Sequence, residues 1–277
     1  MTMVQQNSSS ADLRRRGIAL LRDLRLLGAV DAIRRWRTIR AAAADNQAFL
    51  EEHPAFAAPP LAYVYEIAGH VSLRTFAATG RTACEALAAL ADAHLEGPLE
   101  RVLDWGVGLG RVARWWPEVR PGVEIWGCDP WAEAIAWGRG ALPEVQLEQL
   151  SMQPPTPFAE DQFDLVYGIS ILTHLPLDAQ QAWLAELARI VRPGSLVALT
   201  LQGRRALDRF SPAERAAWEA GEMIERSGVQ EGSRLYLAYH PPGFARDVLF
   251  ADWTLLVHEE DSPVGSGGQD LWLLRRP

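Results

Sequence analysis

The sequence contains no lysine, so all 27 of its cationic side chains are arginines. Schiff-base catalysis by lysine and a Walker-type phosphate loop, which needs a lysine, are therefore excluded. Cysteine is scarce too, because the chain has only Cys84 and Cys128, without the spacing of a disulfide framework or a zinc site. This usage is typical of a reducing compartment, and we expect a cytoplasmic protein with no metal site.

Long apolar runs are also missing, since no run reaches the roughly 18 residues that a membrane-spanning helix requires. Charge is unevenly distributed: residues 1–44 carry a net charge of +6 and the remaining residues carry −14. The acidic main part argues against a nucleic-acid substrate. The arginine-rich part predicts a helix or helix pair over Asp12–Arg40. This helix either packs on its own domain or contacts an anionic membrane surface or a partner protein.

One glycine-rich stretch organises the rest of the chain. A short apolar strand ends at Asp104, three alternate glycines follow (Gly106, Gly108 and Gly110), and a helical pattern begins at Arg111. A strand, a glycine turn and a helix indicate a nucleotide-type ligand held by backbone N–H groups at a helix N-terminus. An ordinary structural turn is the alternative interpretation.

The spacing of these glycines distinguishes between ligands. A dinucleotide fingerprint, Gly-x-Gly-x-x-Gly, would require a third glycine where this chain has Arg111. The acid at the end of the strand, Asp104, would repel a pyrophosphate. It suits S-adenosylmethionine (SAM), which carries an ammonium and a sulfonium and no phosphate. The turn therefore favours SAM over a nicotinamide dinucleotide, and NAD-linked redox chemistry is the disfavoured alternative.

Strand and helix patterns alternate after this turn, which is typical of a parallel sheet. A helix with an apolar stripe is predicted over Asp178–Val191, and Arg192-Pro193-Gly194 is predicted to turn the chain into the next strand. Two closing strands follow a mixed segment. The first predicted strand ends at Asp104. The six others cover residues 123–128, 145–150, 163–167, 195–201, 253–258 and 270–275.

Residues Leu99–Thr200 resemble the SAM-binding core of class I SAM-dependent methyltransferases. The resemblance rests on Asp104 with the three glycines, on Asp129 after the second strand, on the segment 163–166, and on the approach to strand five, 187–194. It implies an α/β fold: a Rossmann-like, mostly parallel seven-stranded sheet with an antiparallel last strand and helices on both faces. SAM is the implied methyl donor, and S-adenosylhomocysteine (SAH) is the implied product.

The resemblance also implies which residues bind the donor. Asp129 is expected to accept hydrogen bonds from the two ribose hydroxyls, since a carboxylate can accept from both members of a diol. Many family members carry an acid after strand three, where this chain has Ser151 and Met152; Ser151 could hydrogen-bond to the adenine and Met152 could pack on it. The full expected donor set is Asp104, Gly106, Gly108, Gly110, Arg111, Asp129, Pro130, Trp131, Ser151, Met152 and Ser170.

His174 follows strand four, where the methyl group should emerge, and its pKa range suits a general base. The alternative is that it caps the next helix or orders the loop. Acceptor contacts are expected from two regions, although packing is the alternative for each. These candidates are Tyr65 and His70 in a lid before the core, and Tyr236, Tyr239 and His240 in the mixed segment.

We predict an N-terminal helical arm and linker over residues 1–60 and a SAM-binding domain over residues 61–277. Within this domain, residues 61–95 form a lid and residues 203–245 form an insertion on the substrate side. The predicted function is transfer of a methyl group from SAM to a small molecule or saccharide, at oxygen. The alternative is a catalytically silent methyltransferase-like binding subunit of a biosynthetic complex.

Overall fold

The computed structural model describes residues 27–226, 232, 236–265 and 267–277, with side chains from Ala32 onward. The chain divides into two compact units, residues 1–73 and 74–277. The sequence predicts a domain boundary after residue 60. The boundary between the two units of the structure lies after residue 73, within the predicted lid, residues 61–95. No helix in the described parts of the chain is both long and apolar enough to cross a membrane.

The described part of the first unit is helical. It comprises α1 (Leu27–Ala41), α2 (Ala43–Glu52), α3 (Leu61–Ala68) and the first residue of α4 (Leu73–His94). Asn46 is buried in α2, where its Nδ2 donates to the Val71 carbonyl (2.8 Å) and its Oδ1 accepts from the Leu73 N–H (2.9 Å). These two bonds fix the chain ahead of α4, because a buried amide side chain needs such partners.

The second unit contains a seven-stranded sheet in the order β3-β2-β1-β4-β5-β9-β8. The last strand, β9, runs antiparallel to both of its neighbours, and the other pairs are parallel. The predicted fold class is therefore confirmed. The sheet strands are β1 (Arg101–Trp105), β2 (Glu124–Asp129), β3 (Val145–Gln149), β4 (Phe163–Gly168), β5 (Val191–Gln202), β8 (Thr254–Glu259) and β9 (Gln269–Arg275).

Helices cover both faces of this sheet. On one face, α7 (Leu177–Ile190) buries Trp183, Leu184, Leu187 and Ile190, the stripe that its sequence predicts. On the other face lie apolar side chains of α4 and of α6 (Ala132–Ala141). A separate hairpin, β6 (Ile224–Arg226) and β7 (Leu237–Tyr239), follows α8 (Pro212–Glu219), and α9 (Pro242–Phe244) leads back toward β8.

Two local predictions are wrong. The segment after the glycine turn is a 3-10 helix, Ala113–Trp115, followed by a short α5 (Trp116–Val119), and no regular helix begins at Arg111. Pro117 explains this, because it has no N–H to bond to a carbonyl one turn earlier and is tolerated only where a helix starts. Arg192-Pro193-Gly194 lies inside β5 as an irregularity in its pairing with β4, with Gly194 at φ +77°.

Candidate active site

The glycine turn connects β1 to the 3-10 helix, and all three of its glycines have positive φ: +80° at Gly106, +50° at Gly108 and +64° at Gly110. Close packing adds a second constraint. A Cβ on Gly106 would lie 2.1 Å from Ile171 Cδ1, and a Cβ on Gly80 of α4 would lie 2.0 Å from the Arg111 carbonyl oxygen. The turn is thus held between α4 and the loop after β4, with no space for larger residues.

The backbone amides of this turn are largely satisfied by the protein itself. Gly106 and Val107 both donate to the Cys128 carbonyl, at 2.9 and 3.0 Å, and Gly110 donates to the Val107 carbonyl at 2.8 Å. Gly108 donates to Asp129 Oδ2 at 2.8 Å. These four N–H groups thus have partners within the protein. The expectation that the turn holds the ligand through its backbone stays a prediction.

Asp129 ends β2 beside the turn, and each of its carboxylate oxygens already accepts one backbone N–H. Oδ2 bonds to Gly108 N and Oδ1 bonds to Trp131 N, both at 2.8 Å. Burial raises the pKa of Asp129, while these two hydrogen bonds oppose that shift. Each oxygen keeps a further lone pair. The carboxylate is thus fixed in orientation and still able to accept from a diol.

A cavity of about 140 Å³ opens beside Asp129, at the carboxyl ends of the strands. In open α/β sheets this edge is where ligands bind. Of the predicted site residues, seven line it: Gly106, Asp129, Pro130, Ser151, Met152, Ser170 and His174. The remaining lining residues are Trp105, Cys128, Leu150, Ile171, Leu175, Trp183 and Gly232.

Two tryptophans form an apolar wall of the cavity that the sequence analysis did not assign. The rings of Trp105 and Trp183 are 5.1 Å apart between centroids. Trp183 Nε1 also donates to the Met152 carbonyl at 3.3 Å, which holds the segment after β3 against α7. Trp183 belongs to the predicted core stripe of α7, and helical periodicity alone gives no signal that part of this stripe borders a cavity.

His174 lies at the end of a 3-10 helix, Leu172–His174, and lines the cavity. Its Nδ1 is 2.7 Å from the Tyr236 carbonyl oxygen. Because a carbonyl only accepts, Nδ1 must carry the proton in this bond, and Nε2 is then the basic nitrogen of the neutral ring. Burial lowers the pKa of His174, the Tyr236 bond opposing the shift, and this favours the neutral ring. This is the protonation state that a general base requires.

Ser170 is held in an unusual conformation on the same rim. Its φ is +64°, a region that non-glycine residues rarely adopt. Its N–H donates to Thr200 Oγ1 at 2.9 Å, and its Oγ donates to Gln269 Oε1 at 2.7 Å. Such over-determined strain is concentrated at functional sites.

Asp104 does not line the cavity. The adjacent Trp105 does, and alternation along β1 directs Asp104 to the other face of the sheet. There its Oδ2 accepts from Tyr167 Oη at 2.9 Å. Burial raises the pKa of Asp104 to about 7. Arg111 is electrostatically coupled to Asp104, and burial lowers the pKa of Arg111. The residues that line the cavity also do not include Arg111, Gly108, Gly110 or Trp131.

The three candidate residues of the insertion lie in different surroundings. Tyr236 contributes its backbone carbonyl, through the bond to His174. Tyr239 is buried in a small core formed with Ala206, Trp218 and Ile224. His240 is buried against α7, with Nε2 2.9 Å from Gln180 Oε1. Neither the Tyr239 nor the His240 side chain lines the cavity, and their predicted contacts with an acceptor stay predictions.

The lid candidates belong to the first unit. Tyr65 is buried on α3, and His70 follows that helix, where its Nδ1 accepts from the Ser72 N–H at 3.3 Å. Their expected contacts with the acceptor also stay predictions. Among the residues that the structure describes, no cluster of three His, Cys, Asp or Glu side chains could hold a metal ion.

Comparison with known proteins places this site in context. Residues 103–199 match a family described as "Methyltransferase domain". The malonyl-[acyl-carrier protein] O-methyltransferase of Enterobacter lignolyticus (strain SCF1) is 34% identical over 120 residues, which are 43% of this chain and 44% of that protein. Methyltransferase GfsG of Streptomyces halstedii is 30% identical over 104 residues, 36% of each protein. The chain thus aligns with less than half the length of these curated relatives.

Similarity to solved structures extends further along the chain. A structure described as SAM-dependent methyltransferases from Methanosarcina mazei has a TM-score of 0.51 and 15% identity, over 68% of this chain and 96% of that one. At this identity the similarity supports the fold. The family match, residues 103–199, contains the glycine turn, Asp129 and the loop that carries Ser170.

Proposed function

We propose that the central domain of this chain is a class I SAM-dependent methyltransferase and that the protein transfers the methyl group of SAM to a hydroxyl of a small molecule or saccharide. The match of residues 103–199 to a methyltransferase domain supports the family, and the SAM-dependent methyltransferase structure from Methanosarcina mazei supports the fold. The acceptor class and the oxygen are our proposal. The name of the 34% identical relative, an O-methyltransferase, supports oxygen.

The observation that carries the proposal is the Asp129 carboxylate, fixed by two backbone amides on the cavity that also contains His174. The residues that line this cavity fit SAM. Asp129 would accept from the ribose hydroxyls, Ser151 would hydrogen-bond to the adenine, and Met152 would pack on that ring. When bound, SAM supplies a methyl group that its sulfonium has already activated for displacement.

His174 would act as the base in this reaction. Its Nε2 would take the proton of the acceptor hydroxyl while the oxygen bonds to the methyl carbon and the carbon–sulfur electron pair remains on sulfur. The Tyr236 carbonyl would stabilise the resulting imidazolium, since Nδ1–H already donates to it. The tryptophan wall would exclude water from one side of the cavity. Most of the remaining catalysis is positioning.

Calorimetric titration with SAM and with SAH tests the donor site. Asp129→Asn replaces one acceptor oxygen with an amide group that cannot accept, so we expect the Kd for both ligands to rise about tenfold or more. Asp252→Asn is the matched control, because Asp252 is exposed and outside the lining set. Wild-type protein that binds neither ligand would refute the proposed function; equal affinities for Asp129→Asn and wild type would refute the role of Asp129.

The acceptor is tested by transfer of labelled methyl from SAM to a panel of hydroxyl-, amine- and carboxyl-bearing small molecules and saccharides. We expect label in an ether linkage with a hydroxyl acceptor. If only amines are labelled, the acceptor atom is nitrogen and the proposal of an oxygen acceptor is refuted.

A binding subunit is the second candidate, and the surface of α1 favours it. Ile33 and Trp36 are exposed there, at 55% and 59%, beside the exposed Arg37 and Arg40. Exposed tryptophan and arginine are typical of interfaces with proteins. SAM binding without transfer to any acceptor, combined with loss of partner capture in a Trp36→Ala variant, would support this candidate.

A further inference from the structure

A chain of buried hydrogen bonds lies under the glycine turn, on the face of the sheet opposite the cavity. Trp116 Nε1 is 3.2 Å from Tyr167 Oη, which is 2.9 Å from Asp104 Oδ2. All three side chains are buried, with exposures of 0% for Trp116 and Tyr167 and 5% for Asp104. The direction of donation is fixed, because an indole N–H can only donate. The phenol therefore accepts from Trp116 and gives its single proton to Asp104.

Asp104, at the start of the glycine turn, also interacts with the residue that follows the turn. Its carboxylate interacts with the backbone N–H of Ala113, the first residue of the 3-10 helix. Residues 104 and 113 bracket all three glycines of the turn. Within this closed segment lies Gly108, whose N–H orients Asp129. Asp104 and Asp129 are thus connected through the backbone of one turn.

The charge of Asp104 decides how strongly it holds the turn, since hydrogen bonds to an ionised acceptor are about twice as strong as neutral ones. Burial raises the pKa of Asp104 to about 7, while the Tyr167 hydrogen bond and Arg111 act to lower it. The carboxyl thus loses its charge within the ordinary assay range. The titratable and charged groups around it are Tyr167 on β4, Arg111 in the turn, Asp129 and Cys128 on β2, and Cys84 on α4.

We propose that Asp104 and Tyr167 are positioning residues for the methyl donor: ionised Asp104, held by Tyr167, keeps the turn in the form that orients Asp129. Neither residue contacts the donor in this scheme. Affinity for SAM then falls when Asp104 becomes protonated, although the fold is unchanged. The inference rests on the proposed function, because it concerns the same donor site.

The test is the pH dependence of Kd for SAM and for SAH, measured by calorimetry between about pH 5.5 and 8.5. In wild type we expect Kd to rise by up to about tenfold per pH unit below the midpoint, which is the pH at which half of Asp104 is protonated. Tyr167→Phe removes a hydrogen bond to a charged group, so the midpoint should move upward by about one pH unit. In Asp104→Asn the side chain cannot ionise, so this rise of Kd at low pH (the step) should be absent. Titration of the ligand's own amino group is common to all variants and cancels in the comparison.

The comparison of the two ligands tests for direct attraction between Asp104 and the sulfonium, because SAH lacks the sulfonium charge and keeps the ammonium. Positioning predicts the same step with both ligands, whereas attraction to the sulfonium predicts a step mainly with SAM. Asp252→Asn is the control for loss of a carboxylate elsewhere, since Asp252 is exposed and does not line the cavity. Its midpoint for binding of SAM and SAH should match that of wild type.

Three results would overturn the inference: the same midpoint in Tyr167→Phe and wild type, a step that persists in Asp104→Asn, or a step seen with SAM alone. If Tyr167→Phe does not fold, as judged by circular dichroism, Trp116→Phe replaces it. That variant removes the donor to Tyr167 Oη, and its midpoint should also move upward. Wild type that binds neither ligand at any pH would refute the proposed function, which is a separate outcome.

Discussion

Replacing Gly80 by alanine tests the close contact between α4 and the glycine turn. Two effects oppose each other at this position. Alanine is favoured over glycine inside a helix by about 1 kcal/mol. Against this, the added Cβ would lie 2.0 Å from the Arg111 carbonyl oxygen, 2.8 Å from its carbon and 3.0 Å from Trp115 Nε1. Because the nearest atoms are backbone, neither can rotate away, and the helix and the turn must separate.

The steric effect should dominate. Overpacking of this kind costs about 1–3 kcal/mol or more, and a clash with backbone belongs at the upper end of that range. We therefore expect Gly80→Ala to lower the free energy of unfolding by about 2 kcal/mol after the gain in helix propensity. Displacement of Arg111 should also shift the adjacent glycine turn, so the Kd for SAM should rise at least severalfold.

Gly140 provides a matched control near the end of α6, because no atom lies within 4 Å of a Cβ built there. Gly140→Ala should raise the free energy of unfolding by about 0.5 kcal/mol through propensity alone, with SAM affinity unchanged. Urea unfolding at constant m-value measures both variants. If Gly80→Ala were as stable as wild type and bound SAM equally well, the packing of α4 on the turn would be wrong.

Two further predictions concern histidines. Burial lowers the pKa of His240 from 6.5 to about 3, so the unfolded chain takes up the proton first and stability falls as the pH drops below 6.5. Between about pH 7.5 and 4.5 this loss is about 3 kcal/mol, and in urea unfolding His240→Phe should show a correspondingly smaller drop; an equal drop would contradict the assignment. The lowered pKa of His174 predicts an acid limb of kcat below pH 6.5 that disappears in His174→Asn, and a limb at or above that value would argue against His174 as the base.

The sequence predicts the sheet because each strand is a local apolar run that ends at a turn. The antiparallel last strand follows from the family resemblance. The prediction fails after Gly110, where the apolar pattern resembles a helix and a single Pro117 prevents it. Gly80 lies inside α4 although glycine lowers helix propensity, because close packing on the Arg111 carbonyl leaves no space for a side chain there.

The site is less predictable from the sequence than the fold. Asp129, Met152 and His174 were assigned to it, and they line one cavity because they follow three different strands whose ends meet at one edge. Tyr236 was chosen for its side chain, but its carbonyl is what contacts His174. Every residue has such a carbonyl, so residue type carries no signal for this role.

The bond between Ser170 and Gln269 links residues 99 positions apart. Gln269 is the first residue of β9, so this bond forms only once the antiparallel strand has been synthesised and has joined the sheet. A ribosome that adds about 5–20 residues per second needs about 5 to 20 s to cover that distance. A nascent chain that stops short of β9 contains the glycine turn and Asp129 but lacks the acceptor for the Ser170 hydroxyl. Translation itself therefore delays the moment at which Ser170, on the rim of the cavity, acquires this partner.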